Sequence, residues 1–148
     1  MTTLAFLDTE TLGLDARRHP VWEIAAIHRA ADGAETEHLW RIRPRWWQLR
    51  RAEPEALTIN RFYERRAVPS GARAADMLAP GEPAPLTLHD LRAAVRAVLH
   101  GAVVIGSNPG FDTARLTRLL GDAPWHYRPV DIATLAAETV KALTAKGL

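Results

Sequence analysis

Four consecutive apolar residues, Leu4, Ala5, Phe6 and Leu7, run without a break into Asp8-Thr9-Glu10. A short continuous apolar run suits a central strand covered on both faces, because neither side of its pleat is polar. Two further strands are expected. Residues 21–29 (VWEIAAIHR) lead to the turn signal Asp32-Gly33, and 35–43 (ETEHLWRIR) alternates His38, Trp40 and Ile42 with Leu39 and Arg41. The two pair as a hairpin, so the first third of the chain is an antiparallel meander.

After residue 50 the pattern changes. Residues 54–66 read as helical, and 68–86, rich in Pro, Gly and Ala without periodicity, as a surface loop. Thr87 with Asp90 three positions later marks a helix start, and Leu88, Leu91, Ala94, Val95, Val98 and Leu99 share its apolar face. A strand over 102–106 feeds 107–120, where Pro109 or Gly110 opens a helix. A further short strand precedes Asp131, and a last helix turns Ile132, Leu135, Ala136, Thr139, Val140 and Leu143 inward, with Gly147 as its cap. The expected fold class is α/β, with a mixed sheet whose three-stranded antiparallel meander is followed by βα units. One domain over residues 1–148 is long enough to bury a core of its own.

Composition excludes several functions. Cysteine is absent, which rules out disulfide frameworks and thiolate metal sites, zinc fingers included. No apolar stretch approaches the length of a membrane span, and Met1-Thr2-Thr3 lacks the basic start of a secretory signal, so a cytoplasmic protein without a membrane role is expected. Net charge is only +2, yet lysine occurs solely at 141 and 146, so arginine supplies the other 17 of the 19 basic residues. Much of that excess is what a GC-rich coding sequence produces. The stretch 40–51 (WRIRPRWWQLRR) is more specific, since it holds five arginines and three tryptophans without an acid. It would either track a phosphate backbone while an indole stacks on bases, or form an edge segment whose tryptophans pack inward.

Side chains two apart on a strand share a face, so Asp8 and Glu10 present both carboxylates to one spot. Anions that close repel unless a cation lies between them, and hard oxygen ligands at this spacing suit magnesium or manganese. The same pair would also arise where a strand simply runs out into solvent. A second stretch, 108–112 (NPGFD), places Asp112 at the start of a helix directly after a strand. There it serves either as a favourable anion near the helix N-terminus or as a third ligand reaching the first strand.

With 8-DTETLGL-14 and, about a hundred residues on, Asn108, Phe111 and Asp112 in the spacing N-x-x-F-D, the chain resembles the DEDD superfamily of 3′ to 5′ exonucleases. The proofreading-exonuclease (DnaQ-like) branch is the most similar, and 23-EIAAI-27 and 54-PEALTIN-60 extend the likeness across most of the chain. The resemblance implies a ribonuclease H-like fold and two-metal hydrolysis of the terminal phosphodiester of single-stranded DNA or RNA. In it, Asp8, Glu10 and Asp112 hold two Mg2+ or Mn2+ ions. It further implies that Thr11 and Leu12 meet the terminal sugar of the 3′ end, that Leu14 wedges against the last bases, and that Asn108 and Phe111 line the same site. A polymerase or replication complex is the partner that branch suggests. Each of these residues also has an ordinary reading: Leu14 and Phe111 as core, Gly13 as a turn, Asn108 as a turn or cap.

The resemblance calls for a fourth acid, preceded by a histidine five residues ahead or a tyrosine four ahead. The segment 126-HYRPVD-131 matches both spacings, but Asp131 follows Asp112 by only 19 residues. Residues 130–136 (VDIATLA) fit better the family's strand-to-helix segment, where the Asp is an N-cap, and Pro129 interrupts any helix carrying His126. On that reading the chain is C-terminally incomplete, ending before the helix that bears the general base. Two other functions stay open at this stage. One is a nucleic-acid-binding module, catalytically weak or inactive, on the same scaffold. The other is an aspartate-nucleophile phosphotransferase, whose D-x-D-x-T signature differs from 8-DTET-11 by one carbon but which would want a lysine where none occurs before Lys141.

Overall fold

The computed structural model describes residues 2–65 and 86–145, with side chains described as far as Lys141. Its five strands form one mixed sheet in the order β3-β2-β1-β4-β5. The central strand β1 (Leu4–Thr11) pairs antiparallel with β2 (Val21–Arg29), which pairs antiparallel with β3 (Glu35–Arg41). On its other side β1 pairs parallel with β4 (Val103–Gly106), and β4 with the two-residue β5 (Val130–Asp131). The meander followed by parallel βα units is the arrangement expected above.

Helices α3 (Leu88–Leu99) and α4 (Pro109–Leu120) are tied to this sheet through one core. Leu91, Val95 and Leu99 recur every four residues on α3, and with Leu116 and Leu120 of α4 they meet Ala5, Leu7, Ile24, Ala26, Trp40 and Val104. A fully buried side chain of this size stabilises by about 1.5–3 kcal/mol. The Thr87 hydroxyl accepts the Asp90 N–H at 3.1 Å to start α3, and Gly121, at φ 89°, closes α4 in the left-handed conformation. A smaller cluster of Leu12, Trp22, Leu57 and Phe62 fastens the short helices α1 (Trp46–Leu49) and α2 (Pro54–Ile59) beside the end of β1. Trp22 and Phe62 meet there edge to face, 5.0 Å between centroids.

Several expectations need correcting. The run 4–7 is not covered equally: Ala5 and Leu7 are buried, while Leu4 and Phe6 on the opposite face are half-buried and Ile27 and Leu39 beside them are exposed. The face of α5 (Ile132–Ala145) carrying Ile132, Leu135 and Val140 is 48%, 56% and 61% exposed at those residues rather than turned inward. An apolar period marks a stripe that can be buried, and burial also needs a surface opposite. The helix expected over 54–66 stops at Ile59, where Asn60 caps it and Arg61 turns to φ 53°. The third strand ends at Arg41 rather than 43. Gly147 and all but Leu86 of the 68–86 stretch lie outside the described residues.

Candidate active site at the end of the central strand

Asp8 and Glu10 lie two apart near the C-terminal end of β1, with Asp8 opposite Ala25 and Glu10 opposite Glu23 on β2. The register therefore adds a third carboxylate to this face. Glu23 is buried and held by Arg41 Nε at 2.8 Å, while Arg65 Nη1 lies 3.0 Å from Glu23 Oε1 and 3.1 Å from Glu10 Oε1. One guanidinium thus bridges a candidate ligand and a buried structural acid. Burial and the nearby Asp8 charge push the Glu10 carboxyl above its ordinary range, against the pull of Arg65.

Asp112 arrives from the first turn of α4, on the covered side of the sheet. Its Oδ1 accepts the Thr9 hydroxyl at 2.5 Å, and Thr9, between the two acids, points to the face opposite theirs. Burial raises the Asp112 carboxyl; the Thr9 hydrogen bond lowers it, and the Asp8 charge adds to the rise. Asp8 and Glu10 thus stand on the open face of the strand end and Asp112 on the covered face, near enough for Asp8 to be felt by both others. Among the described residues, no three His, Asp or Glu side chains are gathered closely enough to hold a metal ion. A common meeting point for all three carboxylates is therefore not the arrangement found. Asp112 is drawn instead to a hydroxyl on its own side.

The loop after β1 is clamped. Gly13, at φ 153°, packs so closely that an added Cβ would lie 2.7 Å from Glu53 Cδ and press on the His19 ring. The Leu14 N–H donates to Glu53 Oε2 at 3.1 Å, the Asp15 N–H to His19 Nδ1 at 3.2 Å, and His19 Nε2 lies 2.9 Å from the Arg51 carbonyl. His19 Nδ1 also lies 3.3 Å from Glu53 Oε1. The clamp leaves the Leu14 side chain 74% exposed.

The neighbouring candidate residues differ in burial. Leu12 is fully buried in the smaller cluster, its N–H donating to the Pro20 carbonyl and its carbonyl accepting the Glu53 N–H. Thr11 is also buried, its hydroxyl on the Gly13 carbonyl and its own carbonyl on the Asn60 side chain. Both hold the loop in this conformation. Asn108 is exposed at φ 53° before α4, and Phe111 is half-buried with the Arg115 guanidinium 3.3 Å from its ring centroid.

Asp131 accepts the Asn108 N–H at 3.2 Å, the Ala133 N–H at 3.0 Å and the Thr134 hydroxyl at 3.0 Å, which makes it the cap of α5. These bonds hold its carboxyl below the usual range. His126 gives its N–H to the Ala102 carbonyl, at the end of β4 away from Gly106 and the carboxylates. The partners of Asp131 are thus the Asn108 N–H and the first turn of α5.

No protein-family model matches the chain, and no curated protein matches it in sequence. Solved structures do match. An apo exonuclease I aligns with TM-score 0.58 and 17% identity over 84% of this chain and 26% of its own. Escherichia coli exonuclease I in complex with a dT13 oligonucleotide aligns at 0.57 and 17%, over 84% of this chain and 25% of its own. This chain shares its fold with exonuclease I. A complex of exonuclease I with SSB-Ct aligns at 0.54 and 15% identity, over 82% and 24%. The chain thus spans about a quarter of the length of these proteins. The shared arrangement is of the ribonuclease H-like kind.

Glu23, Arg65, Thr9 and the His19–Glu53 clamp went unnoticed in the sequence. Glu23 alone left a trace: a lone acid in an apolar strand, which the hairpin register sets opposite Glu10.

Proposed function

We propose that the chain is a metal-dependent 3′ to 5′ exonuclease acting on single-stranded DNA or RNA at the Asp8–Glu10 end of β1. The observation that carries this reading is the same-face pairing of Asp8 and Glu10 at the end of a central strand, with Asp112 held at that end by Thr9. The fold shared with exonuclease I, solved with oligonucleotides, supports it. The donor type suits Mg2+ or Mn2+, being oxygen ligands only, two of them carrying charge that burial and Asp8 make costly, although the three carboxylates are not gathered into one group in this structure. Asp8, Glu10 and Asp112 would hold two ions, which when bound lower the pKa of a water and stabilise a departing 3′ oxygen.

The chain's own residues do the rest. Thr9 fixes the Asp112 carboxylate, and Arg65 offsets the charge of Glu10 and Glu23. The clamp on residues 13–15 presents Leu14 for packing against the last base, with Phe111 and Asn108 on the neighbouring helix start. The finer assignment to the proofreading branch, working with a polymerase or replication complex, rests on the sequence resemblance alone. The test is a 5′-labelled single strand with Mn2+. It should yield a ladder shortened from the 3′ end, and Asp8→Ala should yield none. A ladder indifferent to that substitution sinks the proposal.

A second reading, an inactive single-strand-binding module, is favoured by the separation of Asp112 from the other two acids and by Arg65 already occupying Glu10. Binding of the strand without any Mn2+-dependent cleavage would select it.

A further inference from the structure

Along the Leu12–Pro20 loop lies a furrow of about 510 Å³, lined by eight arginines and no acid. The charge comes from elements far apart in sequence: Arg17 and Arg18 from the loop, Arg45 and Arg51 flanking α1, Arg92 from α3 and Arg118 from α4. Arg18 lies 3.6 Å from Asp15; among the described residues Arg17, Arg45, Arg51, Arg92 and Arg118 form no ion pair. Separate helices and a loop that converge mostly like charges leave a concentration of positive potential that an anion relieves.

Two details identify the anion. Trp47, also in the lining, is 39% exposed, with the Arg51 guanidinium 5.6 Å from its ring centroid, so a stackable indole stands among the cations. Arg115, a buried residue of the lining, donates from Nη2 to the Leu14 carbonyl at 2.5 Å and has no partner at its buried Nε. The furrow is thereby joined to the very loop that borders Asp8 and Glu10. Repeated phosphates with bases between them match arginines interleaved with an aromatic face.

We infer that this furrow binds the sugar-phosphate backbone of a single strand, upstream of the 3′ end placed at Asp8. The position of that 3′ end rests on the function proposed above; the furrow's affinity for the strand does not. The test is fluorescence anisotropy of a labelled oligo-dT with the 148-residue chain in EDTA, where no hydrolysis intervenes. The paired exposed substitutions Arg92→Ala and Arg118→Ala should weaken binding about tenfold and flatten the dependence of log K on log salt by about 0.7 per lost phosphate contact. Arg92→Lys with Arg118→Lys should restore most of the affinity, and Arg29→Ala, whose partner is Glu35 on the neighbouring strand, should change it less than about twofold. Unchanged oligo-dT binding by the double alanine variant overturns the inference. If instead a poly-glutamate probe loses affinity while oligo-dT does not, the furrow takes an acidic protein segment and the inference is likewise overturned. Failure of hydrolysis in the Mn2+ assay would remove the nuclease reading and leave the anisotropy result to decide the furrow.

Discussion

The acidic strand end and the arginine furrow are joined by a single loop, yet they concentrate charge in opposite ways. Asp8, Glu10 and Asp112 are few and mutually repulsive, Asp8 exposed, Glu10 half-buried and Asp112 buried, and their positions follow from strand alternation and one hydrogen bond to Thr9. The furrow spreads eight guanidiniums over a loop and three helical segments, most of them in reach of solvent and its ions. Interactions in a desolvated cluster are strong and each group is indispensable, whereas exposed charges are screened and act as a sum. One substitution should disable the first region. The second should yield only to several, or to salt.

The largest effect is expected at Asp8. Asp8→Ala should lower cleavage about 10²- to 10³-fold or more, the scale of losing one preorganised electrostatic stabiliser, while leaving oligonucleotide affinity in EDTA within about twofold, since exposed charges far from a bound backbone contribute little. Loss of affinity together with cleavage would mean that the two regions are one site.

Next comes the loop that joins them. Gly13→Ala forces a Cβ against His19 and Glu53 at a backbone conformation that side chains rarely adopt. It should destabilise the chain by about 1–3 kcal/mol in urea unfolding and reduce both cleavage and furrow affinity. If it unfolded like the parent chain, the clamp would not be the rigid link between the regions.

A smaller effect separates neighbouring arginines. Arg51 lines the furrow, whereas Arg50 lies outside it over the Trp46 ring. Arg51→Ala should reduce the salt slope of oligo-dT binding by about 0.7, and Arg50→Ala should leave the slope where it was. Equal slopes for both variants would show that the Trp40–Arg51 stretch acts as a diffuse patch and not through the furrow.

The smallest effect is on stability against pH. Glu10 and Asp112 titrate above the ordinary carboxylate range when folded, so over that interval the folded chain binds more protons than the unfolded one. Their contribution to metal-free stability therefore falls as pH rises from the unfolded carboxylate range through their raised folded values. Asp8→Asn removes a charge that raises both, and melting curves across this range should flatten. A steeper fall in that variant would contradict the electrostatic coupling between the two faces of the strand end.

The backbone plan was legible because hydrophobic periods of two and four are written locally. Leu91, Val95 and Leu99 announce α3, and the hairpin of β2 and β3 follows from alternation about Asp32-Gly33. The same-face spacing of Asp8 and Glu10 and the place of Asp112 at a helix start were legible too. The burial of Leu12 was not legible, because a residue just after a strand carries no sign of the cluster it joins: Trp22, Leu57 and Phe62 come from other parts of the chain. The tryptophans of the arginine-rich stretch divide between both alternatives, Trp40 joining the core while Trp46 and Trp47 stand outside.

By itself the sequence determined the parity of Asp8 and Glu10 along a strand and the place of Asp112 at a helix start, since both are local properties. Only the tertiary structure decided which partners they meet. Strand register set Glu23 opposite Glu10 and the return of the chain brought Arg65 to both. The pleat gave Thr9, not Asp8, to Asp112. Packing of α3 and α4 against one side of the sheet turned arginines more than 70 residues apart in the chain into a single furrow, because electrostatic fields add through space while sequence spacing is blind to it.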